Sequence, residues 1–357
     1  MNDLRHRDVL VVGGGQAGLA AGFYLRRQGI DFAILDAQHT HGGAWQHVWE
    51  SLRLFSPAQY SSLPGWSMPA TNAGYPDAAH VISYLTAYEQ RYSLPVFRGV
   101  RVEAVHRADG GFRLDTDDRG TWTARVVVSA TGTWWRPFLP ALARAGAYRG
   151  RQIHTVGYRR PQDFAGERVA VVGAGNSGAQ IAADLAGHAR EVRWMTTRAP
   201  RFLPDDVDGR VLFELANRRY RALIAGQPAP PGIGDFGDIV AVPPVRQARD
   251  GGQLHATPMF TELGTEGPRW PDGTSWACDT VIWATGFRPA LAHLAPLRLR
   301  RDNGYVVTDG TRYRHDRHLH LLGYGDWTGP ASATLIGVGP AARDMAAQIR
   351  DTLTGRR

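Results

Sequence analysis

The chain has 357 residues, with 41 arginine or lysine side chains, 33 acidic ones and a formal net charge of +8 at pH 7. All 41 are arginine, which excludes Schiff-base and P-loop chemistry because both need a lysine. The single cysteine, Cys278, excludes a disulfide framework and the cysteine pair of a disulfide reductase, so we expect a buried, inert thiol.

The distribution of charge and hydropathy along the sequence argues against several further classes of protein. The arginines are scattered without a nucleic-acid recognition motif, so we interpret the charge as a solvated basic surface and expect no nucleic-acid partner. No signal peptide is recognisable and no apolar run approaches the length of a membrane span, so we expect a cytoplasmic protein without a membrane partner. The thirteen histidines show no metal-ligand spacing, and no metal site is expected.

The first glycine-rich motif, Gly13-Gly14-Gly15-Gln16-Ala17-Gly18, lies between an apolar strand and a helix. The run from Asp8 to Val12 predicts a buried parallel strand, and a second strand from Asp31 to Leu35 ends at Asp36. Such glycines permit a tight turn, a close diphosphate and helix packing, and an acid about 20 residues on binds ribose hydroxyls. The predicted dinucleotide-binding residues are Gly13, Gly15, Gln16, Ala17, Gly18 and Asp36.

The stretch after Asp36 predicts a loop, a helix and an antiparallel layer. The loop contains Gly42-Gly43-Ala44-Trp45, and a helix is predicted from Ala79 to Tyr92. Strand-like runs at residues 100–105, 112–115 and 122–124 indicate a small antiparallel layer. A further run, 125–128, returns to the parallel sheet and leads to the turn Ala130-Thr131-Gly132.

A second motif of the same type, Gly173-Ala174-Gly175-Asn176-Ser177-Gly178, follows a predicted strand from Arg168 to Val172. Two such motifs in one chain indicate two bound dinucleotides, a flavin and a nicotinamide. The next strand, Glu191 to Met195, runs into Thr197 and Arg198 instead of an acid. Because a guanidinium binds a 2′-phosphate that an acid would repel, we predict NADPH, with NADH as the alternative.

The nicotinamide half also carries a predicted insertion at about residues 200–250. It contains an amphipathic segment from Val211 to Ile224 and a Gly/Pro-rich loop from Gly226 to Gly237, which is either an ordered lid or a disordered linker. A buried strand at 281–283 then leads to a second Ala-Thr-Gly turn. The residues predicted to bind the nicotinamide coenzyme are Gly173, Gly175, Asn176, Ser177, Gly178, Thr197, Arg198, Thr285 and Gly286.

The segment between the two folds carries the most specific pattern. Tyr148 to Arg159 resembles the F-x-G-x-x-x-H-x-x-x-Y/F-K/R signature of flavin-containing monooxygenases, with Tyr148 in place of phenylalanine and His154 at the histidine. With the doubled glycine motif, the Gly-Gly-x-Trp loop and the Ala-Thr-Gly turns, nearly the whole chain is similar to the short bacterial members of that family. The family is related to the Baeyer–Villiger monooxygenases.

This resemblance implies an α/β fold with two dinucleotide-binding (Rossmann-like) domains of the FAD/NAD(P)-binding type and a small antiparallel layer in the FAD domain. The FAD-binding domain would comprise residues 1–157 and 285–357, with an NAD(P)H-binding domain, 158–284, inserted. By the same resemblance Asp326, after a strand at 319–322, binds FAD, and the segment from Ala331 to Gly339 opens the final helix. The further FAD-binding residues are Gly43, Ala44, Trp45, Thr131, Gly132 and Asp326.

The activity that the resemblance implies is an NADPH- and O2-dependent insertion of one oxygen atom into a small sulfide or ketone through a C4a-(hydro)peroxyflavin. Larger family members have an asparagine near the flavin where this chain has Leu54-Phe55-Ser56-Pro57, so we predict that Phe55 or Ser56 lines the flavin and that leakage to H2O2 is favoured. His154 either packs a hinge or takes part in the chemistry.

Two other functions stay open. An NAD(P)H oxidase or flavin reductase would share every motif without transferring oxygen to a substrate, and a redox sensor would bind dinucleotides without catalysis. The expected partners are a small-molecule substrate and O2, and homodimer formation is left open.

Overall fold

The computed structural model describes residues 5–71, 74–117, 120–144, 148–228 and 237–355. The chain divides into two compact units. Unit 1 consists of Met1–Gln46, Pro57–Trp135 and Pro289–Arg357, and unit 2 consists of His47–Ser56 and Arg136–Arg288. Each unit is built on one large sheet with a parallel centre, which confirms the predicted α/β fold class.

Across the described residues, the regular elements are mainly short strands and six α-helices. The strands are β1 His6–Val12, β2 Phe32–Asp36, β3 Val96–Arg98, β4 Val102–Ala108, β5 Gly111–Thr116, β6 Thr121–Ser129, β7 Arg151–His154, β8 Arg168–Val172, β9 Glu191–Thr196, β10 Ala256–Pro258, β11 Glu262–Leu263, β12 Pro268–Arg269, β13 Thr280–Trp283, β14 Arg301–Asp302, β15 Tyr305–Val306, β16 Thr308–Asp309, β17 Arg312–Tyr313 and β18 Leu319–Leu321. The helices are α1 Gln16–Arg27, α2 Ala78–Arg91, α3 Asn176–Leu185, α4 Gly209–Ile224, α5 Pro243–Asp250 and α6 Val338–Leu353.

The sheet of unit 1 has the parallel order β18-β6-β1-β2-β3 at its centre. Its central strand β1 is fully buried from Val9 to Val11, as expected for a parallel strand covered on both faces. The register sets Val12 of β1 beside Leu35 of β2 and Ser129 of β6. The carboxyl ends of β1, β2 and β6 therefore lie side by side. The first glycine motif, Asp36 and the first Ala-Thr-Gly turn lie at or directly after these ends.

The predicted antiparallel layer is formed by β4, β5 and the beginning of β6. The predicted pieces 122–124 and 125–128 are one strand, because the residues of β6 that pair antiparallel with β5 continue directly into those that pair parallel with β1 and β18. Phe112, Leu114 and Trp122 fill one face of this layer and belong to the same apolar core as Leu10 of β1.

Helix α1 begins at Gln16, inside the first motif, and packs against α6. Only the last two residues of the segment from Ala331 to Gly339, predicted to open the final helix, are helical. The residues before them form a tight turn, in which Ala331 has a φ of +52° and Thr334 donates its backbone N–H to the Ala331 carbonyl at 2.8 Å. The predicted helix start is therefore wrong for Ala331 to Gly337.

Unit 2 has a fully parallel five-stranded sheet in the order β10-β9-β8-β13-β7. Its register sets Val172 of β8 beside Met195 of β9 and Trp283 of β13, which repeats the arrangement in unit 1. The predicted linker supplies the edge strand β7, whose His154 pairs with Trp283. Residues 136–157 therefore belong to unit 2, which differs from the predicted domain boundary at residue 157.

The predicted insertion contains α4 and α5, and α4 covers the amphipathic segment from Val211 to Ile224. Its two ends meet at a parallel bridge between Phe202 and Ile239. Residues 229–236 of the Gly/Pro-rich loop lie outside the described residues, so the choice between lid and linker stays a prediction. Within the described part of the chain, no helix has both the length and the apolar character needed to cross a membrane.

Candidate functional site

In unit 1 the first and last glycines of the motif are required by packing. A Cβ on Gly13, whose φ is +108°, would lie 2.5 Å from the carbonyl oxygen of Ala130. A Cβ on Gly18 would lie 1.9 Å from the carbonyl oxygen of Gly13. These glycines let β1, α1 and the turn after β6 approach one another.

Unit 2 repeats both contacts. A Cβ on Gly173, whose φ is +142°, would lie 2.2 Å from the carbonyl oxygen of Ala284, and one on Gly178 would lie 2.1 Å from the carbonyl oxygen of Gly173. Each motif therefore packs against the alanine of an Ala-Thr-Gly turn. The two units thus repeat the same contact between the motif and the turn.

The middle glycines, Gly15 and Gly175, are not required by packing. A Cβ on Gly175 would meet nothing within 4 Å, and one on Gly15 would come no closer than 3.8 Å, to a backbone carbon of Gly43. Both residues have negative φ values, −79° and −103°, that any residue adopts. The open space lies at the N-termini of α1 and α3, where backbone N–H groups favour a diphosphate. The residues present therefore fit a dinucleotide in each unit.

The Gly-Gly-Ala-Trp loop lies against the first motif. Gly43 has a φ of +55°, and a Cβ on it would lie 2.8 Å from the Cα of Gly15. Trp45 Nε1 donates to Gln16 Oε1 at 3.0 Å, and Gln16 Nε2 donates to the carbonyl of Ala333 at 2.6 Å. The predicted residues Gln16, Gly43 and Trp45 are thus brought together around one cradle.

Asp36 is buried at the carboxyl end of β2 beside the same cradle, since a Cβ on Gly14 would lie 2.8 Å from its Oδ2. The guanidinium of Arg98 bridges the carboxylates of Asp36 and Glu89. Burial raises the pKa of Asp36, and the charge of Arg98 opposes that shift. The charge of Arg98 favours the ionised form of Asp36, which can accept hydrogen bonds, and its contact with ribose hydroxyls stays a prediction.

Four other predicted flavin-binding residues lie in unit 1 in different settings. Asp326 is exposed, and its Oδ1 accepts the backbone N–H of Ala331 at 3.0 Å. Gly132 has a φ of +63° with open space beside its Cα. Ala17 is buried in α1, whereas Ala44 is exposed.

Thr131 belongs to a buried hydroxyl network that sequence analysis did not predict. Its Oγ1 donates to the carbonyl of Ala290 at 2.7 Å and lies 2.8 Å from the hydroxyl of Tyr324. Ser129 Oγ lies 2.8 Å from the same hydroxyl and 3.1 Å from His293 Nε2. Burial lowers the pKa of His293 to about 4, so this histidine is neutral at pH 7. The network joins the first Ala-Thr-Gly turn to the loop after β18.

Asp238 bridges two arginines beside the second motif. A guanidinium nitrogen of Arg198 lies 2.9 Å from Asp238 Oδ2, and Arg201 contacts both oxygens of the same carboxylate at 3.1 and 3.2 Å. Arg198 is exposed and Thr197 beside it is also exposed, so both are accessible to a ligand. A 2′-phosphate at Arg198 would have to compete with Asp238.

Asn176 ties the returning end of the insertion to the N-terminus of α3. Its Oδ1 accepts the backbone N–H of Val240 at 2.9 Å, and its Nδ2 donates to the carbonyl of Asp238 at 3.3 Å. Ser177 follows in the first turn of α3 and is half-buried. Asp238 is therefore held in position by its backbone as well as by its ion pairs.

His154 holds the second Ala-Thr-Gly turn. Its Nδ1 faces the backbone N–H of Val156 at 3.4 Å and must act as acceptor, so the ring proton lies on Nε2 and is donated to the carbonyl of Gly286 at 3.0 Å. Burial lowers the pKa of His154, which keeps the ring neutral. Thr285 Oγ1 donates to the carbonyl of Phe138 at 2.5 Å. These contacts give His154 a positioning role, and its part in the chemistry stays a prediction.

Phe55 and Ser56 belong to unit 2, in a segment predicted as part of the FAD-binding domain. The carbonyl of Phe55 accepts the backbone N–H of Gly209 at 2.8 Å, and a Cβ on Gly209 would lie 1.9 Å from Ser56 Oγ. Ser56 is buried. Both residues thus contact the first residue of α4, and their place beside a flavin stays a prediction.

Sequence analysis missed Arg98, Asp238 and the hydroxyl network. Arg98 ends β3, a three-residue strand next to β2, and a correct assignment of that strand would have found it. Asp238 lies in the insertion, where no periodic pattern marks it. Tyr324 and His293 follow no motif, because the network forms only when separate loops meet.

Residues 10–215 match the family described as pyridine nucleotide-disulphide oxidoreductase. A flavin-containing monooxygenase from Stenotrophomonas maltophilia is 47% identical, with a TM-score of 0.88 over 98% of this chain and 100% of that chain. A Geobacillus kaustophilus protein named uncharacterized oxidoreductase CzcO-like is 33% identical over 78% of this chain and 80% of its own length.

A plant protein is a more distant relative. The indole-3-pyruvate monooxygenase YUCCA1 of Oryza sativa subsp. japonica is 27% identical over 78% of this chain and 76% of its own length. The single cysteine of this chain rules out an intrachain redox pair, so the disulphide chemistry in the family description does not apply within it. The chain belongs to the pyridine nucleotide-disulphide oxidoreductase family and, within it, to the flavin-containing monooxygenases, as the sequence motifs predicted.

Proposed function

We propose that this chain is an NADPH- and O2-dependent flavoprotein monooxygenase that binds FAD in unit 1 and NADPH in unit 2. The observation that supports this most directly is the pair of matching cradles, each with a middle glycine that packing does not require. When bound, the flavin takes a hydride equivalent from the nicotinamide coenzyme and delivers one oxygen atom of O2 to a small molecule.

In this proposal the residues of unit 1 bind FAD and fix its orientation. The backbone N–H groups after Gly15 hold the diphosphate, and Asp36 holds ribose hydroxyls while Glu89 keeps its contact with Arg98. Gln16 and Trp45 fix the Gly43 loop against the motif, which holds the backbone around the dinucleotide.

In the same proposal the residues of unit 2 select NADPH and hold the second Ala-Thr-Gly turn in place. Arg198 binds the 2′-phosphate and Thr197 donates a hydroxyl, while Asn176 keeps the segment around Asp238 next to the first turn of α3. His154 and Thr285 fix the second Ala-Thr-Gly turn, whose open Gly286 lies beside the space for the coenzyme.

The proposed substrate is a small sulfide or a ketone. A ketone finds support in the rice relative named for indole-3-pyruvate, which contains a keto group. A second candidate function is an NADPH oxidase that releases H2O2. It rests on the predicted flavin-facing position of Phe55 and Ser56, in the segment where larger family members have an asparagine. A monooxygenase must exclude water from its flavin, and these residues supply an aromatic ring and a hydroxyl where an amide is expected.

The deciding experiment measures oxygen transfer. Purified flavin-loaded protein is supplied with NADPH and isotopically labelled O2, with thioanisole, cyclohexanone or indole-3-pyruvate, and product, NADPH and H2O2 are quantified together. We expect labelled sulfoxide, ester or cleaved keto acid in excess of H2O2 with at least one substrate. NADPH consumption matched by H2O2 under every condition would support the oxidase, and colourless protein that consumes no NADPH would contradict both.

A further inference from the structure

A cavity of about 490 Å³ in unit 2 lies outside the residues assigned to either dinucleotide. Its wall is formed by Arg136, Pro137, Phe138, Leu139, Ala141, Arg144 and Arg288. This volume is that of an ordinary small-molecule site. This wall contains three arginines and four apolar residues, and no acidic residue lines it.

The three arginines of this wall differ from the arginines that are paired with Asp or Glu, as Arg198 is with Asp238. Among the described residues, Arg136, Arg144 and Arg288 make no ion pair, although all three are exposed enough to meet a ligand. Three unpaired guanidinium groups around one cavity produce a positive potential that attracts an anion.

Backbone hydrogen bonds join two of the segments that line the cavity. Arg288 donates its backbone N–H to the carbonyl of Arg136 at 2.9 Å, and Phe138 donates its own to the carbonyl of Gly286 at 2.9 Å. The guanidinium of Arg288 lies over the ring of Phe138, 4.5 Å from its centre. A guanidinium that lies over an aromatic ring has a restricted orientation, and its N–H groups can still donate to a planar acceptor such as a carboxylate.

We propose that this cavity is a binding site for a small organic carboxylate with an aromatic or other apolar body. The carboxylate pairs with Arg288 and its neighbouring arginines, and the apolar body covers Pro137, Leu139 and Ala141. A compact inorganic anion would satisfy the charge but leave this apolar surface in water. The proposal is independent of the proposed catalytic function, because binding alone defines it.

The test is calorimetric titration of the flavin-loaded full-length protein with benzoate, benzamide and inorganic phosphate. We expect benzoate to bind with a dissociation constant of about 1 mM or tighter, and benzamide and phosphate to bind at least about tenfold more weakly. Arg144→Gln and Arg288→Gln should each weaken benzoate by about tenfold, and Arg288→Lys by less, because lysine keeps the charge without the planar fork. Arg343→Gln on α6 is the matched control for loss of one exposed charge and should leave binding unchanged.

The results that overturn the proposal are equally specific. They are an absence of benzoate binding to the unchanged protein, benzamide or phosphate binding as tightly as benzoate, or benzoate affinity unaltered in the folded Arg144→Gln/Arg288→Gln double variant. Thermal melting of each variant identifies any loss of fold. If a glutamine variant is unfolded, the benzoate affinity of Arg288→Lys is compared with that of the unchanged protein instead. Complete displacement of benzoate by saturating NADP⁺ would assign the cavity to the coenzyme and remove a separate site.

Discussion

Arg198 is the residue that carries the predicted preference for NADPH. A charge-assisted hydrogen bond to a phosphate contributes about 1.5–3 kcal/mol, which corresponds to about a 10- to 150-fold change in affinity. Arg198→Ala should therefore raise the KM for NADPH by about tenfold or more while the KM for NADH changes by less than about twofold. Steady-state kinetics with both coenzymes measure this difference. Equal losses with NADPH and NADH would remove the assignment of Arg198.

Substitution of Asp238 gives an independent prediction, in which the KM for NADPH falls instead of rising. Its half-buried carboxylate pairs with the exposed side chains of Arg198 and Arg201, and pairs that are open to solvent on one side contribute about 1 kcal/mol, so a phosphate can displace Asp238. Asp238→Asn removes the competing charge but keeps the backbone carbonyl that Asn176 contacts. We expect the KM for NADPH to fall by about two- to fivefold with little change for NADH. A higher KM for NADPH in this variant would show that Asp238 orients Arg198 rather than competing for it.

Within the strand–turn–helix element of unit 2, substitutions at Gly175 and Gly178 distinguish an effect on ligand binding from an effect on folding. A Cβ on Gly175 has open space, so Gly175→Ala should change the free energy of unfolding by no more than about 0.5 kcal/mol. It should nevertheless raise the KM for NADPH by about tenfold, because the methyl group occupies the space left for the diphosphate.

Gly178→Ala is the matched variant. Its Cβ would lie 2.1 Å from the carbonyl oxygen of Gly173, so the helix must move away from the strand and the protein should lose about 2 kcal/mol or more of stability. Thermal melting and kinetics of the two variants measure both effects, with flavin content as a check that unit 1 is intact. If Gly175→Ala destabilised the protein as much as Gly178→Ala, the middle glycine would have a packing role and the argument for a diphosphate there would fail.

Elements whose sequence carries a local signal were predicted well. Strand β8 coincides with the predicted run from Arg168 to Val172, because a continuous apolar β-branched sequence specifies a buried parallel strand by itself. Strand β7 was not predicted, because Arg151-Gln152-Ile153-His154 has only one apolar residue and becomes a strand by pairing with β13, far along the chain. Edge strands depend on such distant partners.

The same distinction applies to the site. The glycines and Asp36 follow from local motifs, and the close packing of helix on strand that the motif implies is present. The contact of Asp36 with Arg98 was not predicted. The contact between Asn176 and Asp238 joins residues 62 positions apart, and no motif predicts which loop will return to the helix N-terminus. The hydroxyl network around Tyr324 is of this second kind, since it unites three separate segments of unit 1.

At the scale of the whole molecule, the buried neutral histidine His293 makes stability depend on pH. Its ordinary pKa of about 6.5 applies in the unfolded chain, whereas burial lowers the pKa to about 4 in the folded protein. Between these values the unfolded state binds more protons than the folded state, so the free energy of unfolding falls as pH decreases from 6.5 towards 4. Its partner Ser129 is uncharged and offers no compensation for a protonated ring.

The variant His293→Gln isolates this contribution, because a glutamine amide can replace Nε2 in the contact with Ser129 but does not titrate. At pH 7.5 the unchanged protein should be equal to or more stable than the variant, and its advantage should shrink by on the order of 2 kcal/mol as the pH is lowered to about 4.5. Urea unfolding at several pH values measures the difference, and other acid-sensitive groups, such as the buried His320, cancel in the comparison. A difference that is constant across this range would mean that folding leaves the pKa of His293 unshifted, and a difference that grows towards acid would mean that the folded protein stabilises the protonated ring.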